Sequence, residues 1–159
     1  KKQPLKLNEI QADTVEEVAI KKALDAAKQI KASCVCEDTE LTIKALNDFP
    51  GPYMKFAQAK LSIENIIDLT KNTKEKTATF KSILVYAEPT GFCKTFETKL
   101  DCEILNTAKG NLGKGWDSII LIKKSGKTLA EYNGEEKFNL WNKGYVKFGK
   151  WFSQRILKK

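Results

Sequence analysis

Apolar residues recur along this chain with two periods, and the changes between them mark out the elements. Leu5 to Ile10 alternates weakly and predicts a short strand. Val15, Val18, Ala19, Ala23, Ala26, Ala27 and Ile30 then follow helical spacing. Thr14-x-x-Glu17 ahead of them is a capping box, so the helix starts at Asp13 or Thr14. Ser33 to Cys36 predicts a short buried strand that ends in Glu37-Asp38-Thr39, and Leu41 to Leu46 alternates as the next strand. Asn47 to Tyr53 carries two prolines around a glycine and predicts a rigid turn. Ser62 caps a second helix to Lys71, with Ile63, Ile66, Ile67 and Leu69 turned inward. Thr77 to Glu88 and Phe92 to Leu105 predict two long strands joined as a hairpin at Pro89-Thr90-Gly91. Lys109 to Asp117 is a glycine-rich loop without the strand–helix context of a phosphate-binding fingerprint. Ser118 to Ile122 is a further short strand, and Gly126 begins a turn. The last segment predicts a helix from Glu135, with Trp141, Tyr145, Phe148, Phe152 and Ile156 on one stripe. That stripe is read as core, the alternative being a basic amphipathic contact with a membrane or partner. Gly144 and Gly149 weaken this helix by about 1 kcal/mol each. The fold class is therefore α/β, with helices flanking a sheet, in one domain over residues 1–159.

Two places break the pattern. Lys22 falls inside the apolar stripe of the first helix, either as a snorkelling side chain or as a cation aimed into a site beside the core. Glu37 and Asp38 are adjacent carboxylates where an apolar strand is expected to end, a costly arrangement unless water or a cation compensates. Open α/β sheets place ligands beyond the carboxyl ends of strands, so this pair is a candidate Mg²⁺ site or the start of a turn.

Composition narrows the chemistry. The chain has no histidine, which excludes Ser-His-Asp and Cys-His nucleophile pairs, His-ligated zinc and an imidazole pH switch. Its 28 Lys and Arg against 20 Asp and Glu give a net charge of +8, yet Arg155 is the only arginine. The lysines are scattered and arginine contacts to bases are nearly lacking, so a solvated basic surface is preferred to nucleic-acid binding. No apolar run approaches the roughly 18–20 residues of a membrane span. Cys34 and Cys36 sit on the strand-like run and are expected to point to opposite faces. With Cys93 and Cys102 they read as reduced thiols rather than a zinc site, which predicts an intracellular reducing compartment. The cytoplasm is the first choice and an organelle the alternative.

The order of the pieces carries a resemblance. Leu7-Asn8-Glu9-Ile10-Gln11, the capped helix, Glu37-Asp38-Thr39, Phe49-Pro50-Gly51-Pro52-Tyr53-Met54-Lys55, Gly115-Trp116-Asp117 and Glu135-Glu136-Lys137 follow one another as in the inosine triphosphate pyrophosphatase family, its eukaryotic branch above all. The resemblance implies a long, curved, mixed sheet with flanking helices, usually in a homodimer. It also implies Mg²⁺-dependent cleavage of triphosphates such as ITP, dITP and XTP to the monophosphate and pyrophosphate. By similarity Glu9 and Asp38 would hold the metal, with Asp38 also near the attacking water. Thr39 would contact nucleotide, and Lys22, Lys55 and Lys137 would hold phosphates or nucleotide. Gly115, Trp116 and Asp117 would belong to the base and sugar pocket. Phosphoanhydride cleavage needs charge neutralisation and an oriented water, which carboxylates, a hard cation and lysines can supply.

Three departures from the family pattern stand out. The chain starts at what would be the family's second strand, without the T-G-N-x-x-K loop, so it is expected to be truncated at its N-terminus; Lys1 is not a native start. The family's F-G-W-D is Lys114-Gly115-Trp116-Asp117, with a lysine for the aromatic. Its S-H-R is Trp141-Asn142-Lys143, so Asn142 and Lys143 stand where the family reads the purine edge. Two readings follow. One is a nucleoside triphosphate pyrophosphatase with altered base choice. The other is a catalytically inactive member kept as a structural or interaction subunit of a larger assembly, with the aromatic C-terminal helix as its contact surface.

Overall fold

The computed structural model describes residues 5–157; Lys1, on which the expectation of an upstream segment rests, lies outside them. The elements in chain order are α1 (Val15–Ile30), β1 (Cys34–Ile43), β2 (Pro50–Gly51), α2 (Met54–Gln58), α3 (Ile63–Thr70), β3 (Thr77–Ala87), β4 (Cys93–Ile104), β5 (Ile120–Ile122), β6 (Lys127–Thr128) and α4 (Gly134–Ile156). The strands form one sheet in the order β2-β1-β3-β4-β5-β6. Every pairing among the described residues is antiparallel, so the helices and long sheet are as expected but no parallel pair is present.

The sheet is covered on both faces, and the register decides which residue meets which helix. Ile83, Val85 and Ala87 of β3 pack under α1, whose Ala19, Ala23 and Ala27 recur one turn apart and bring the helix close to the strands. Phe80, Leu84 and Tyr86 alternate with them and face the other way. Phe80 joins the main core of Leu41, Ile43, Leu100, Cys102, Ile104 and Trp116. Leu84 and Tyr86 join Phe96, Phe148, Trp151 and Phe152. β3 is thus the central, doubly covered strand.

The predicted caps form. Thr14 and Glu17 make the reciprocal box at α1, and Ser62 with Asn65 does the same at α3. The hairpin also forms, with Thr77 opposite Glu103 and Ala87 opposite Cys93.

Several expectations are corrected. Leu5–Ile10 is not a strand: it has no regular secondary structure, and no described strand pairs with it. Ser33–Cys36 and Leu41–Leu46 are not two strands. Cys34–Ile43 is continuous and Lys44–Leu46 is a 3-10 turn. The charged stretch stays in the strand because each carboxylate is met: Asp38 by Lys22 at 2.7 Å, Glu40 by Lys81 at 2.6 Å, and Glu37 by the hydroxyls of Ser82 and Tyr145. Asp38 therefore lies mid-strand, not beyond a strand end. Leu69 is exposed; the side chain that closes α3 is Thr70, whose hydroxyl donates to the Ile66 carbonyl. Tyr145 and Ile156 of the expected stripe are exposed too, and Trp151 joins Phe148 and Phe152 in the aromatic cluster.

Cys34 and Cys36 share a face, since residues two apart on a strand point the same way. Burial, with Cys36 beside it, pushes the Cys34 thiol up to about 11 from an ordinary 9.0. Its thiolate fraction at pH 8 is then lower by about 100-fold. Mass-mapped alkylation at that pH should find Cys34 slower than a free cysteine by about that factor; equal rates would contradict this burial.

The two glycines of α4 differ in kind. A Cβ on Gly144 would stand 3.2 Å from the Phe96 carbonyl and from Thr98 Oγ1, whereas one on Gly149 meets nothing within 4 Å. Gly144 is where the helix touches β4. Its N–H donates to Thr98 Oγ1 (2.8 Å), and the Thr98 hydroxyl donates to the Trp141 carbonyl (3.2 Å). In urea titrations, Gly149→Ala should stabilise by about 0.5–1 kcal/mol and Gly144→Ala destabilise by about 1–2 kcal/mol.

Candidate active site

Two adjoining cavities meet at Asp38, Thr39 and Met54. The smaller, of about 330 Å³, is lined by Glu9, Lys22, Asp38, Thr39 and Lys55, with Tyr53 and Phe56 at its side. The larger, of about 450 Å³, is lined by Glu37, Gln58, Phe80, Lys114, Asp117, Lys137 and Trp141. Both fall in the size range of small-molecule sites.

The smaller cavity is organised by Lys22. Its helix runs along β1, so the ammonium reaches Asp38 Oδ2 at 2.7 Å and Glu9 Oε1 at 3.0 Å. Its side chain is 20% exposed, against 24% for Asp38 and 36% for Glu9. Burial pulls the Lys22 pKa down, but hydrogen bonds to Asp38 and Glu9 outweigh it and the net shift is upward. The same contact, with the charges of Lys22 and Lys55, holds the Glu9 carboxyl below its usual range. The stripe position of Lys22 thus brings its ammonium into a cavity, where two carboxylates meet it. Lys55, on the first turn of α2, lines the same cavity; the rigid 47–53 turn before it places that short helix, which the sequence reading did not foresee.

The larger cavity is closed by the glycine-rich loop and the start of α4. Asp117 accepts from Lys137 Nζ at 2.5 Å and from the Lys114 backbone N–H at 2.9 Å. Gly115 has φ +54, which a side chain rarely adopts, and lies against the Gln58 amide in the cavity wall. Trp116 is not a lining residue. It is 1% exposed, belongs to the main core and donates its indole N–H to the Leu61 carbonyl at 2.9 Å. It anchors the loop from behind. Asn142 lines neither cavity and bonds to Asn139, and Lys143 lines a separate cavity with Lys99, Asp101 and Lys123. Trp141, read from the sequence as core, is the aromatic side chain of α4 that borders the larger cavity, its ring centroid 4.5 Å from that of Phe80. Lys137 and Trp141 are one helical turn apart, a spacing that marks them as sharing a face.

The sequence profile of the Ham1 family matches residues 1–144. The chain belongs to the Ham1 family. It is similar to the dITP/XTP pyrophosphatase of Methanopyrus kandleri, at 31% identity over 93% of this chain and 80% of that protein. It is similar also to the inosine triphosphate pyrophosphatase of Puccinia graminis f. sp. tritici, at 34% identity over 95% of this chain and 79% of that protein. Among solved structures, the Staphylococcus aureus Ham1 protein superposes with a TM-score of 0.82 at 26% identity, covering 95% of this chain and 82% of that one. No described helix of this Ham1 family member is long and apolar enough to cross a membrane.

Glu9 and Asp38 fit a magnesium ion in donor type, being hard oxygen ligands brought together on one ammonium. Among the described residues no group of three or more acidic, histidine or cysteine side chains is placed to hold a metal. Two carboxylates suit an ion that takes its remaining ligands from water and substrate phosphates.

Proposed function

We propose that this Ham1 family member hydrolyses nucleoside triphosphates with non-standard purine bases to the monophosphate and pyrophosphate, with Mg²⁺ as cofactor. The observation that carries the reading is the junction at Asp38 and Thr39, where the cavity holding Glu9, Lys22 and Lys55 opens beside the one holding Lys114, Lys137 and the rings of Phe80 and Trp141. A triphosphate ester joined to a flat base has those two halves. Glu9 and Asp38 would hold the ion, which when bound would supply charge neutralisation for the phosphoanhydride. Lys22 and Lys55 bind phosphate oxygens, and Thr39 offers its hydroxyl between the two halves. Asp38 orients the attacking water and accepts its proton. Lys137, fixed by Asp117, reaches the nucleotide from the opposite wall. Base contact falls to Phe80 and Trp141, with Asn142 and Lys143 taking no part.

Pyrophosphate release from a panel of ITP, dITP, XTP, ATP and GTP, with and without Mg²⁺, tests the proposal. Release should require Mg²⁺ and fall by about 10²–10⁴-fold in Asp38→Ala, the scale of losing an acid–base group. Release no greater than that variant's would overturn the enzymatic reading and leave the inactive-subunit one standing.

A further inference from the structure

The Glu9–Asp38 pair already holds a cation. Lys22 Nζ lies within hydrogen-bond distance of both carboxylates, so the two oxygens that would bind a metal are engaged by the chain itself. The lining of this cavity is also neutral overall, two carboxylates against Lys22 and Lys55. A bare divalent ion approaching it meets no net negative charge and must first break two ion pairs. A polyphosphate changes both conditions. It brings anionic oxygens that can take over the ammonium, and it supplies the ligands that two carboxylates leave open.

We propose that Lys22 is the resident cation of the Glu9–Asp38 pair, so that a divalent ion enters the site together with a polyphosphate, to which Lys22 transfers as the ion takes the carboxylates. The proposal rests on the reading of those carboxylates as the metal site. Lys22 then has two successive partners. Without phosphate it keeps the carboxylates from repelling each other; with phosphate it neutralises the anion. The aliphatic stem rises from the stripe of α1 between Val18 and Ala26, so the head can move while the stem stays packed.

The test is Mn²⁺ affinity, read by electron paramagnetic resonance of the free ion, on the full chain without nucleotide. Wild type should bind Mn²⁺ weakly. Lys22→Met and, as a second neutral variant, Lys22→Gln should bind at least tenfold more tightly, because the carboxylates are left without their ammonium. Adding Asp38→Asn to either should abolish the gain. If both Lys22 variants, shown folded by circular dichroism, bind no more tightly than wild type while Asp38→Asn weakens binding, the inference fails and the metal site survives. If Asp38→Asn alters Mn²⁺ affinity in no background, or no variant binds the ion, the assignment of the metal site falls and the inference with it.

Discussion

Trp116→Ala should lower the free energy of unfolding by about 3–5 kcal/mol, the range for deleting a large aromatic side chain from a packed core. Trp116 is among the largest fully buried side chains, and Ile119, Ile120 and Leu129 are fully buried in the same cluster. Its removal also leaves the Leu61 carbonyl without the indole donor, which adds about 1 kcal/mol. Against a total stability of about 5–15 kcal/mol for a domain of this kind, the loss brings the variant close to unfolding. Trp116→Phe keeps most of the packing and should cost about 1–2 kcal/mol. Urea titration gives both numbers. The phenylalanine variant separates two roles for the residue: as a core anchor Trp116→Phe leaves nucleotide affinity within about twofold, whereas a base-contacting Trp116 would lose affinity well out of proportion to stability.

Trp141→Ala is expected to have the largest effect on nucleotide binding outside the charged residues. Stacking of a base on an aromatic side chain is worth about 1–3 kcal/mol by alanine substitution, or roughly 5–150-fold in affinity. The position of Trp141 against Phe80, on the wall shared with Lys137, makes it the flat surface that Lys114 cannot provide. Trp141→Phe should recover most of the binding. Fluorescence gives an independent reading: nucleotide should quench wild type and leave Trp141→Phe nearly unquenched, although Trp116 and Trp151 remain. Unchanged affinity in the alanine variant would remove Trp141 from the site.

What could be read from the sequence was what local chemistry fixes. The box at Thr14 and Glu17 and the turn at Pro89-Thr90-Gly91 are complete within a few residues, and both are where the sequence places them. The resemblance supplied the family, now shown, and the geometry brings Glu9, Lys22, Asp38, Thr39, Lys55, Asp117 and Lys137 to two touching cavities. What could not be read depends on partners far along the chain. Sequence alone reads the Glu37-Asp38 pair as a cation site or the start of a turn, because the hydroxyl partners of Glu37, Ser82 and Tyr145, are 45 and 108 residues away. The opposite faces expected of Cys34 and Cys36 were an error of period, correctable from the strand repeat alone. The helical repeat could also have separated Trp141 from Asn142 and Lys143, which are turned from it by about 100° and 200°.

The sole arginine lies far from both cavities of the site. Arg155 pairs with Glu88 at 2.7 Å, and its guanidinium lies 4.4 Å from the Phe92 ring centre, tying the far end of α4 to the hairpin. Tyr86 donates to the same Glu88 carboxylate at 2.8 Å.

The contact of Thr98 with α4 acts as a pawl. One hydroxyl accepts from the Gly144 N–H and donates to the Trp141 carbonyl, so it engages the helix backbone at two residues three apart from the middle of β4. Sliding the helix by one residue, or rolling it, would break both bonds and drive a side chain into the gap that only Gly144 leaves. The phase of α4 is thereby set at its middle, and the orientation of Lys137 and Trp141 over the cavity is set with it. Drift at the C-terminal end of the helix would be stopped at Thr98 before it reached the cavity wall.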